Sequence, residues 1–380
     1  MGYRRTADLK LSGSGVLPLI GLHSRSYWSL SKKERADAIW QALFVENSPV
    51  SEATRGVIAV LHAFGLPTDS PDLSEARSFF SARPVEAHVR RVIELAGVSR
   101  VAITNDPLDP EEAPVWKSGI KSDPRFQAVL HLDRILRGWP EDCQALASQG
   151  YRVEERVSGP SISEVRRFLT SWCEQMRPAY TAVSPPYTFQ FPDDTPGNKI
   201  LSEAILPSCR ELELPLSLMI GVRRQVNPRL RLAGDGVGRA DLGSLEYLCR
   251  SYPENRFLVS VLSRENQHEL CVYARKFNNL MPFGCWWLLN NPPPWKRLLA
   301  RGWNCWGRAS SLSIPNARVL EQLIYKWRNT RVTLAPILAS AYRKISTDGR
   351  KVTRREIERD VNRLFCGNFE QWTSRRIVKN

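Results

Sequence analysis

The stretch NRFLVSVLSRENQHELCVYARKFNNLMPFGCWWLL, residues 255–289, contains a strand, a helix and a second strand in succession. NRFLVSVLS (255–263) is apolar at consecutive positions, which is typical of a strand buried on both faces of a sheet. ENQHELCVYARKF follows with a helical pattern and leads into NLMPFGCWWLL (279–289), which is again apolar. Because two such strands joined through a helix run parallel, this unit predicts a parallel sheet with helices packed outside it.

The same unit recurs along the chain. We identify strand segments near residues 16, 100, 127, 181, 216, 257, 281 and 312, each followed by a helical segment. Eight strand–helix units predict an α/β fold of the (β/α)8 TIM-barrel type, in which functional groups lie at the carboxyl ends of the strands. The alternative is an open, doubly wound sheet, which would usually carry a glycine-rich phosphate turn after its first strand. Here GSGVLP precedes that strand, so the barrel is favoured.

Residues 31–97 carry no strand signal. Ser31 is a predicted N-cap with Glu34 three residues later, which is the pattern of a capping box. A second helix begins at Ser51, and a third, EAHVRRVIELAG, ends at Gly97. We therefore expect residues 1–30 to hold an N-terminal segment and the first strand, 31–97 to form a helical insertion, 98–318 to complete the barrel, and 319–380 to form helices that pack on it.

Composition indicates a soluble globular protein. The chain has 380 residues, of which 42% are hydrophobic and 24% charged. No apolar run reaches the roughly 18–20 residues that span a bilayer, and the N-terminus lacks the apolar core of a secretory signal. Eight cysteines are scattered without a CxxC pair, which favours reduced thiols in a cytoplasmic protein over disulfides or a zinc site. The sequence predicts no membrane partner and leaves a homo-oligomer open.

The net charge of +15 raises the question of a polyanionic partner. Its arginines are spread along the chain, often in pairs such as those at positions 90–91, 166–167 and 223–224. No block of basic residues with interleaved aromatic residues is present. We therefore favour a solvated basic surface over a nucleic-acid-binding one, and the second interpretation is kept as the alternative.

Two adjacent tryptophans, Trp286 and Trp287, fall at the carboxyl end of the seventh predicted strand. Because side chains alternate along a strand, one of them is expected to face the core and the other a pocket or a covering loop. Simple packing of both rings is the alternative. In a barrel this end of the strand is where a substrate would bind.

Several motifs resemble those of the uronate isomerases, also called glucuronate isomerases, of the amidohydrolase superfamily. ITNDPLDPEE resembles that family's T-D-D-P turn, and LMIGVRRQVNPRLRLAGDGVG resembles its L-H-I-G-x-x-R segment. FGCWWLLNN is similar to G-W-W-F-N-D, IPNARVLEQLIYKW to T-D-S-R-S-F, and REIERDVNRLFCGNFEQW to the closing helix. These motifs lie at residues 103–112, 218–238, 283–291, 314–327 and 355–372. The resemblance extends over nearly the whole chain and includes the helical insertion.

The resemblance implies an aldose–ketose isomerisation of D-glucuronate or D-galacturonate, giving D-fructuronate or D-tagaturonate. Such a reaction moves a proton between adjacent carbons through an enediol, and it needs a base, an acid and a group that stabilises the oxyanion. A divalent metal, zinc or manganese, can polarise the sugar oxygens. A guanidinium can hold the substrate carboxylate through two hydrogen bonds.

This chain departs from the family pattern at the implied metal ligands. The first-strand motif His-x-His keeps His23 but has Arg25 in place of its second histidine. Met219 replaces the histidine of L-H-I-G, and Asn316 replaces the aspartate of T-D-S-R. Arginine is permanently protonated and is not a normal metal ligand. We therefore expect no bound cofactor, or a divalent metal only if the family chemistry is retained.

Other family positions are altered or kept. His131 stands at the third-strand arginine position, and the fourth-strand S-D-H motif reads Ser184-Pro185-Pro186. We expect eight residues to converge on one cavity at the barrel mouth, four with a catalytic role and four with a substrate-binding role. The catalytic group comprises His23, Arg224, Trp287 and Arg318, and the substrate-binding group comprises Arg25, His131, Trp286 and Asn316.

Three functions remain open at this point. The first is a hexuronate isomerase with altered metal use or reduced activity. The second is a non-catalytic descendant that binds an anionic sugar or a protein partner. The third, a metal-dependent hydrolase of the wider superfamily, is least favoured because the required histidines and aspartate are missing. His23 could also be an ordinary strand-end histidine, and acidic neighbours could neutralise Arg224 and Arg318.

The altered ligands predict that the purified protein is substantially metal-free and that glucuronate isomerisation is weak or absent. At an effective dielectric of about 20, two unit charges about 4 Å apart repel by about 4 kcal/mol, and a divalent ion doubles that repulsion at Arg25. Metal analysis of the double variant Arg25→His/Asn316→Asp should show a gain in bound metal. Stoichiometric zinc or manganese in the unaltered protein, together with robust turnover, would contradict this prediction.

Overall fold

A parallel sheet forms the centre of the molecule. The computed structural model describes residues 24–119, 123–139, 141–284 and 317–374. Six strands form one sheet in the order β1-β2-β3-β4-β7-β8, and every neighbouring pair is parallel. They span Val101–Asn105 (β1), Phe126–His131 (β2), Thr181–Val183 (β3), Leu216–Ile220 (β4), Phe257–Val261 (β7) and Leu280–Pro282 (β8).

Helices connect these strands. Glu112–Lys117 follows β1, and Asp133–Arg137, Cys143–Ser148 and Gly159–Met176 follow β2. Pro196–Ile200, the π-helical turn Leu201–Ile205 and Leu206–Glu211 lie between β3 and β4, while Gly243–Ser251 and Arg264–Ala274 flank β7. Helix Gly159–Met176 has Ser158 as its N-cap, and Gly159 and Pro160 fit its first turn.

The two faces of the sheet differ in what covers them. On one face Leu218 and Val259 pack with Phe168 and the other apolar side chains of the connecting helices. On the opposite face Leu258 and Met281 belong to a smaller apolar cluster. Both faces are therefore apolar, which explains why the strands are apolar at consecutive positions rather than alternating.

The segment between β4 and the next helix forms a small hairpin. β5 (Val222–Arg223) pairs antiparallel with β6 (Gly236–Val237). Between them lies the 3-10 segment Pro228–Gly234. This hairpin follows the carboxyl end of β4 directly, so its residues are placed at the edge of the sheet where a site is expected.

Residues 24–97 contain helices and no strand. The helices are Ser24–Ser29, Lys32–Trp40, Glu52–Ala63, Ser74–Ser81 and Val85–Ala96, with the π-helical turn Gln41–Val45. The predicted capping box of Ser31 and Glu34 is confirmed, as is the N-cap at Ser51. Gly97 ends the last helix with φ 62°, a left-handed conformation that favours glycine. We call residues 24–97 the helical segment.

The helical segment packs against the long helix Gln322–Thr347. His88 Nε2 lies 2.8 Å from Glu321 Oε1, and both side chains are buried. Arg331 donates a hydrogen bond of 2.6 Å to the carbonyl of Ala96. The contact thus joins two parts of the chain that are far apart in sequence through charged as well as apolar groups.

The last of the C-terminal helices packs against the sheet. Gln322–Thr347 is followed by Arg354–Asn362, the π-helical turn Arg363–Gly367 and Asn368–Ser374. Phe369 and Trp372 pack in the smaller apolar cluster, and Phe369 contacts Tyr180, just before β3. Arg256, just before β7, donates a hydrogen bond to the carbonyl of Trp372. The last helix therefore lies at the amino end of the sheet.

The parallel α/β prediction is confirmed for the described part of the chain. Six of the eight predicted strands are present, at the predicted positions near residues 100, 127, 181, 216, 257 and 281. The two others, near residues 16 and 312, lie outside the described residues, so closure of the sheet into a barrel stays a prediction. Across the described ranges, no helix combines the length and apolar character needed to span a membrane.

Replacement of Gly56 by alanine should destabilise the protein. A Cβ atom at Gly56 would lie 2.5 Å from the ring of Tyr325, so the two helices would have to separate. We expect urea denaturation to show a loss of about 1–3 kcal/mol in the free energy of unfolding, the usual effect of overpacking. Gly159→Ala is the matched control, because a Cβ there meets no atom within 4 Å. A Gly56→Ala variant as stable as the parent would contradict the described packing.

Candidate functional site

A cluster of charged side chains lies at the carboxyl ends of the central strands. His131 is the last residue of β2, and Asp133 begins the helix that follows. Ser184 comes directly after β3, and Arg224 directly after β5. Because the carboxyl ends of parallel strands meet at one edge, these residues, which are distant in sequence, come together.

Asp133 is the centre of this cluster. Its Oδ1 accepts a hydrogen bond from the backbone N–H of Ser184. Its Oδ2 lies 2.6 Å from Arg137 Nη2, 3.6 Å from His131 Nε2 and 3.9 Å from Arg224 Nη2. Only 7% of the Asp133 side chain is exposed. A buried carboxylate needs cations and N–H donors around it, and Asp133 has both.

Asp235 holds Arg224 from a second side. Arg224 Nη1 donates to Asp235 Oδ2 at 2.7 Å, and the backbone N–H of Gln225 donates to Asp235 Oδ1 at 2.9 Å. The Asp235 side chain is 4% exposed, whereas 41% of the Arg224 side chain is exposed. The guanidinium is thus anchored on its buried side and presents its other side to solvent. A guanidinium has five N–H donors, so this arrangement leaves donors for a ligand.

Asp106 adds a carboxyl group on the strand beside that of His131, because β1 and β2 pair up to Asn105 and Leu130, the residues before them. It follows β1 directly, and its Oδ1 accepts a hydrogen bond of 2.9 Å from the backbone N–H of Leu108. Burial raises the pKa of Asp106, and this hydrogen bond and the charges of Arg134 and His131 oppose the rise. A carboxyl group with a raised pKa at the strand end that neighbours His131 is suited to exchanging a proton.

The position of His131 on β2 leaves its imidazole partly accessible. It pairs with Ala182 of β3, and Ala182 belongs to the smaller apolar cluster on the face opposite the connecting helices. One quarter of its side chain is exposed. His131 is therefore partly accessible to a ligand while its Nε2 lies toward Asp133.

Met219 lies on β4 and packs against apolar neighbours. It contacts the cluster of Val222 and Leu262 as well as the smaller apolar cluster. Its thioether offers no oxygen or nitrogen donor of the kind that zinc or manganese prefers. Within the four described ranges, no group of three or more His, Cys, Asp or Glu residues could hold a metal ion.

The remaining predicted site residues are placed only in part. Arg318 is exposed, and its backbone N–H donates to Gln322 Oε1 at 2.7 Å. Arg25 lies in the helix Ser24–Ser29. His23, Trp286, Trp287 and Asn316 lie outside the described residues. The structure thus brings His131 and Arg224 together, and the convergence of the other six residues stays a prediction.

Sequence reasoning missed Asp133, Asp235 and Asp106. Two of them end or follow a predicted strand, in RFQAVLHLD and in ITNDP. A carboxylate directly after a buried strand lies at the carboxyl edge of the sheet, and this signal could have identified Asp106 and Asp133. Asp235 lies in LAGDGVG, where only the hairpin β5–β6 brings it to Arg224.

Comparison with solved structures shows close relatives of this fold. The chain is similar to a uronate isomerase from Bacillus halodurans C-125, with a TM-score of 0.94 and 42% identity over 97% of this chain and 88% of that one. A uronate isomerase from Thermotoga maritima matches with a TM-score of 0.74 and 14% identity, covering 96% of this chain and 89% of that one. A glucuronate isomerase from Caulobacter crescentus matches with a TM-score of 0.69 and 12% identity, covering 96% of this chain and 85% of that one.

The last two similarities, at such low identity, concern the fold alone. The Bacillus halodurans similarity extends over nearly the whole of both chains at an identity that indicates common descent. No protein-family model matches this chain. A search of curated proteins likewise finds no match.

Asp133→Asn should destabilise the folded protein. The change removes the charge that pairs with Arg137 at 2.6 Å and lies near Arg224. We expect a loss of about 1.5–3 kcal/mol in the free energy of unfolding, the usual range for hydrogen bonds to charged groups. Glu358→Gln is the control: it breaks an exposed pair with Arg354 at 2.7 Å, and such pairs contribute about 0.5 kcal/mol. Equal losses in the two variants, measured by urea denaturation, would contradict the central role of Asp133.

Proposed function

This chain belongs to the uronate isomerase family, and on that basis we propose that it isomerises a hexuronate between its aldose and ketose forms. D-Glucuronate and D-galacturonate are the proposed substrates. The observation that carries the proposal is the cluster in which His131 and Arg224 both lie near the buried carboxylate of Asp133. It combines a group that can move a proton with a group that can bind a carboxylate.

The proposal includes a closed barrel. Strands near residues 16 and 312 would close the parallel sheet, with residues 31–97 inserted after the first strand and 319–380 packed as helices. His23, Trp287 and Arg318 would then reach the same mouth as Arg224. Arg25, Trp286 and Asn316 would line it as substrate contacts. Six described parallel strands and the similarity to a uronate isomerase support this arrangement.

His131 is the proposed proton carrier. In the aldose form it removes the proton from C2, the electron pair of the C2–H bond forms the C1=C2 bond, and O1 gains a proton to give the enediol. The O2 hydroxyl then gives its proton to Asp106, which has given one to O1. The electron pair of that O–H bond forms C2=O, and the C1=C2 pair takes the proton that His131 returns to C1. Asp133, 3.6 Å from Nε2, stabilises the imidazolium that exists between these steps. Asp106, whose pKa is raised by burial, is the proposed acid at O1.

Arg224 is the proposed anchor of the substrate carboxylate. Asp235 and Asp133 fix its guanidinium, so that little side-chain freedom is lost on binding. Its exposed side is available for a charge-assisted contact with the substrate. Arg318 is the proposed second cation of this pocket.

A divalent metal does not fit the donor set described so far. Met219 packs among apolar residues where the family resemblance implies a histidine, and Arg25 and Asn316 replace two further ligands. No step of the proposed reaction therefore requires a metal ion. The His131–Asp133 pair can transfer protons without a metal ion. We therefore propose metal-independent turnover.

A second candidate function is sugar-acid binding without catalysis. It is favoured by the charge balance of the cluster, in which Asp133 and Asp235 offset Arg137 and Arg224. A protein partner in place of the sugar is a variant of this reading. In either case we propose a cytoplasmic location, because eight cysteines without a CxxC pair fit a reducing compartment.

An isomerase assay of the purified protein separates these functions. Ketose formation from glucuronate and galacturonate should occur at a low rate, as expected where the implied metal ligands are replaced, and should not depend on added zinc or manganese. His131→Gln should lower kcat by about 10²–10⁴-fold, the usual contribution of general acid–base catalysis, with little change in KM. Arg224→Ala should instead raise KM.

The Trp139→Phe variant is the control, because it removes an indole hydrogen bond, to the carbonyl of Glu155, that involves no side chain of the cluster. Binding of glucuronate measured by calorimetry, without ketose formation, would establish the non-catalytic alternative. Turnover that appears only with added metal would contradict the proposed mechanism.

A further inference from the structure

Trp28 joins the helical segment to the loop that carries Asp235. Its indole N–H donates to the carbonyl of Arg229 at 2.9 Å. The guanidinium carbon of Arg231 lies 4.5 Å from the centroid of the Trp28 ring, within the range of a cation–π contact. Leu230, between these two arginines, packs against the apolar cluster of the helical segment. Three consecutive loop residues are thus held by the helical segment.

The same loop fixes the geometry of Arg224. Residues 225–235 leave β5 just after Arg224 and return with Asp235, whose Oδ2 accepts from Arg224 Nη1 at 2.7 Å. The backbone N–H of Gln225 donates to Asp235 Oδ1 at 2.9 Å, and that of Asn227 donates to the carbonyl of Gly234 at 3.1 Å. The Arg224–Asp235 pair can form only while this loop is closed.

The closed loop has an unfavourable backbone. Gln225 has φ 49° and Arg231 has φ 53°, both in the left-handed region that non-glycine residues seldom adopt. A Cβ at Gly234 would lie 1.9 Å from the carbonyl oxygen of Asn227, so the turn is also sterically tight. Such a conformation persists only where surrounding contacts enforce it. The contacts that Arg229, Leu230 and Arg231 make with the helical segment are of this kind.

Arg35 supports the Trp28 ring from within the helical segment. Its guanidinium carbon lies 5.4 Å from the Trp28 ring centroid and 5.9 Å from that of Tyr27, which is fully buried. Tyr27 and Trp28 also make an edge contact at 5.1 Å between centroids. Contacts within the helical segment therefore fix the indole independently of the loop.

We propose that Trp28 is a positioning residue for Arg224. By docking residues 225–235 onto the helical segment it keeps Asp235 in place, and Asp235 in turn fixes the guanidinium that receives the substrate carboxylate. This inference rests on the proposed function for its effect on substrate. Its structural part, the closure of the loop by Trp28, does not depend on any ligand.

Hydrogen–deuterium exchange of the ligand-free protein tests the closure. In Trp28→Ala, peptides covering residues 222–237 should exchange faster, because the amides of Gln225 and Asn227 lose their loop acceptors. Trp28→Phe, which keeps a ring but loses the indole N–H, should give a smaller effect. Trp139→Phe loses an equivalent N–H···O=C bond elsewhere and should leave these peptides unchanged. Unaltered exchange in Trp28→Ala would overturn the inference.

Steady-state kinetics with glucuronate tests the effect on Arg224. Trp28→Ala should raise KM by on the order of tenfold with a smaller change in kcat, as expected when only binding is lost. Faster exchange with an unchanged KM, in a protein whose Arg224→Ala variant has a raised KM, would overturn the inference and leave the proposed function intact. An unchanged KM in Arg224→Ala would instead refute the proposed role of Arg224.

Arg231→Ala provides a second variant in case Trp28→Ala does not fold. It removes the stacked cation from the loop without altering the helical segment. It should accelerate exchange in residues 222–237 and raise KM in the same direction as Trp28→Ala. Normal exchange and a normal KM in Arg231→Ala and Trp28→Phe together would overturn the inference.

Discussion

The buried carboxylate of Asp133 imposes the strongest constraint on the site. An ionised carboxyl group taken out of water is stable only if donors and cations replace its hydration. The partners come from three places: the backbone after β3, the helix after β2 and the segment after β5. The carboxyl ends of these elements must therefore keep their relative positions, and the positions of His131 and Arg224 follow from that requirement.

An interaction could be predicted from the sequence when its partners are close together in the chain, and not when they are far apart. The capping box of Ser31 and Glu34 and the apolar strand at Phe257–Val261 are set by neighbours in the chain, so the sequence indicates them directly. The pairing of Asp133 with Arg224 joins residues far apart in sequence, and no local pattern encodes it. The local pattern does not distinguish Arg223 from Arg224, and only the family motif selects Arg224. In the structure Arg223 contacts the Tyr187 ring, whereas Arg224 contacts two carboxylates.

The family resemblance was informative about the fold and incomplete about the chemistry. Alignment of motifs drew attention to positions where a metal ligand is replaced, such as Met219. It gave no weight to Asp106 and Asp235, which lie within those motifs, or to Asp133, which lies outside them. Met219 packs among apolar side chains, so the core accommodates methionine at the position where the family motif has histidine. What organises the described part of the site is a set of carboxylate–cation pairs, and their strength depends on burial rather than on a bound ion.

The last helix, Asn368–Ser374, has a consequence for how the protein is made. Phe369 and Trp372 cover apolar side chains of the sheet, including Met281, and the Trp372 carbonyl accepts from Arg256. During synthesis β1 to β4 leave the ribosome long before this helix does. The apolar side chains that Phe369 and Trp372 contact are then exposed to water and to other nascent chains until residues 368–374 arrive. A product truncated before residue 368 would leave this apolar cluster uncovered and would be prone to aggregate.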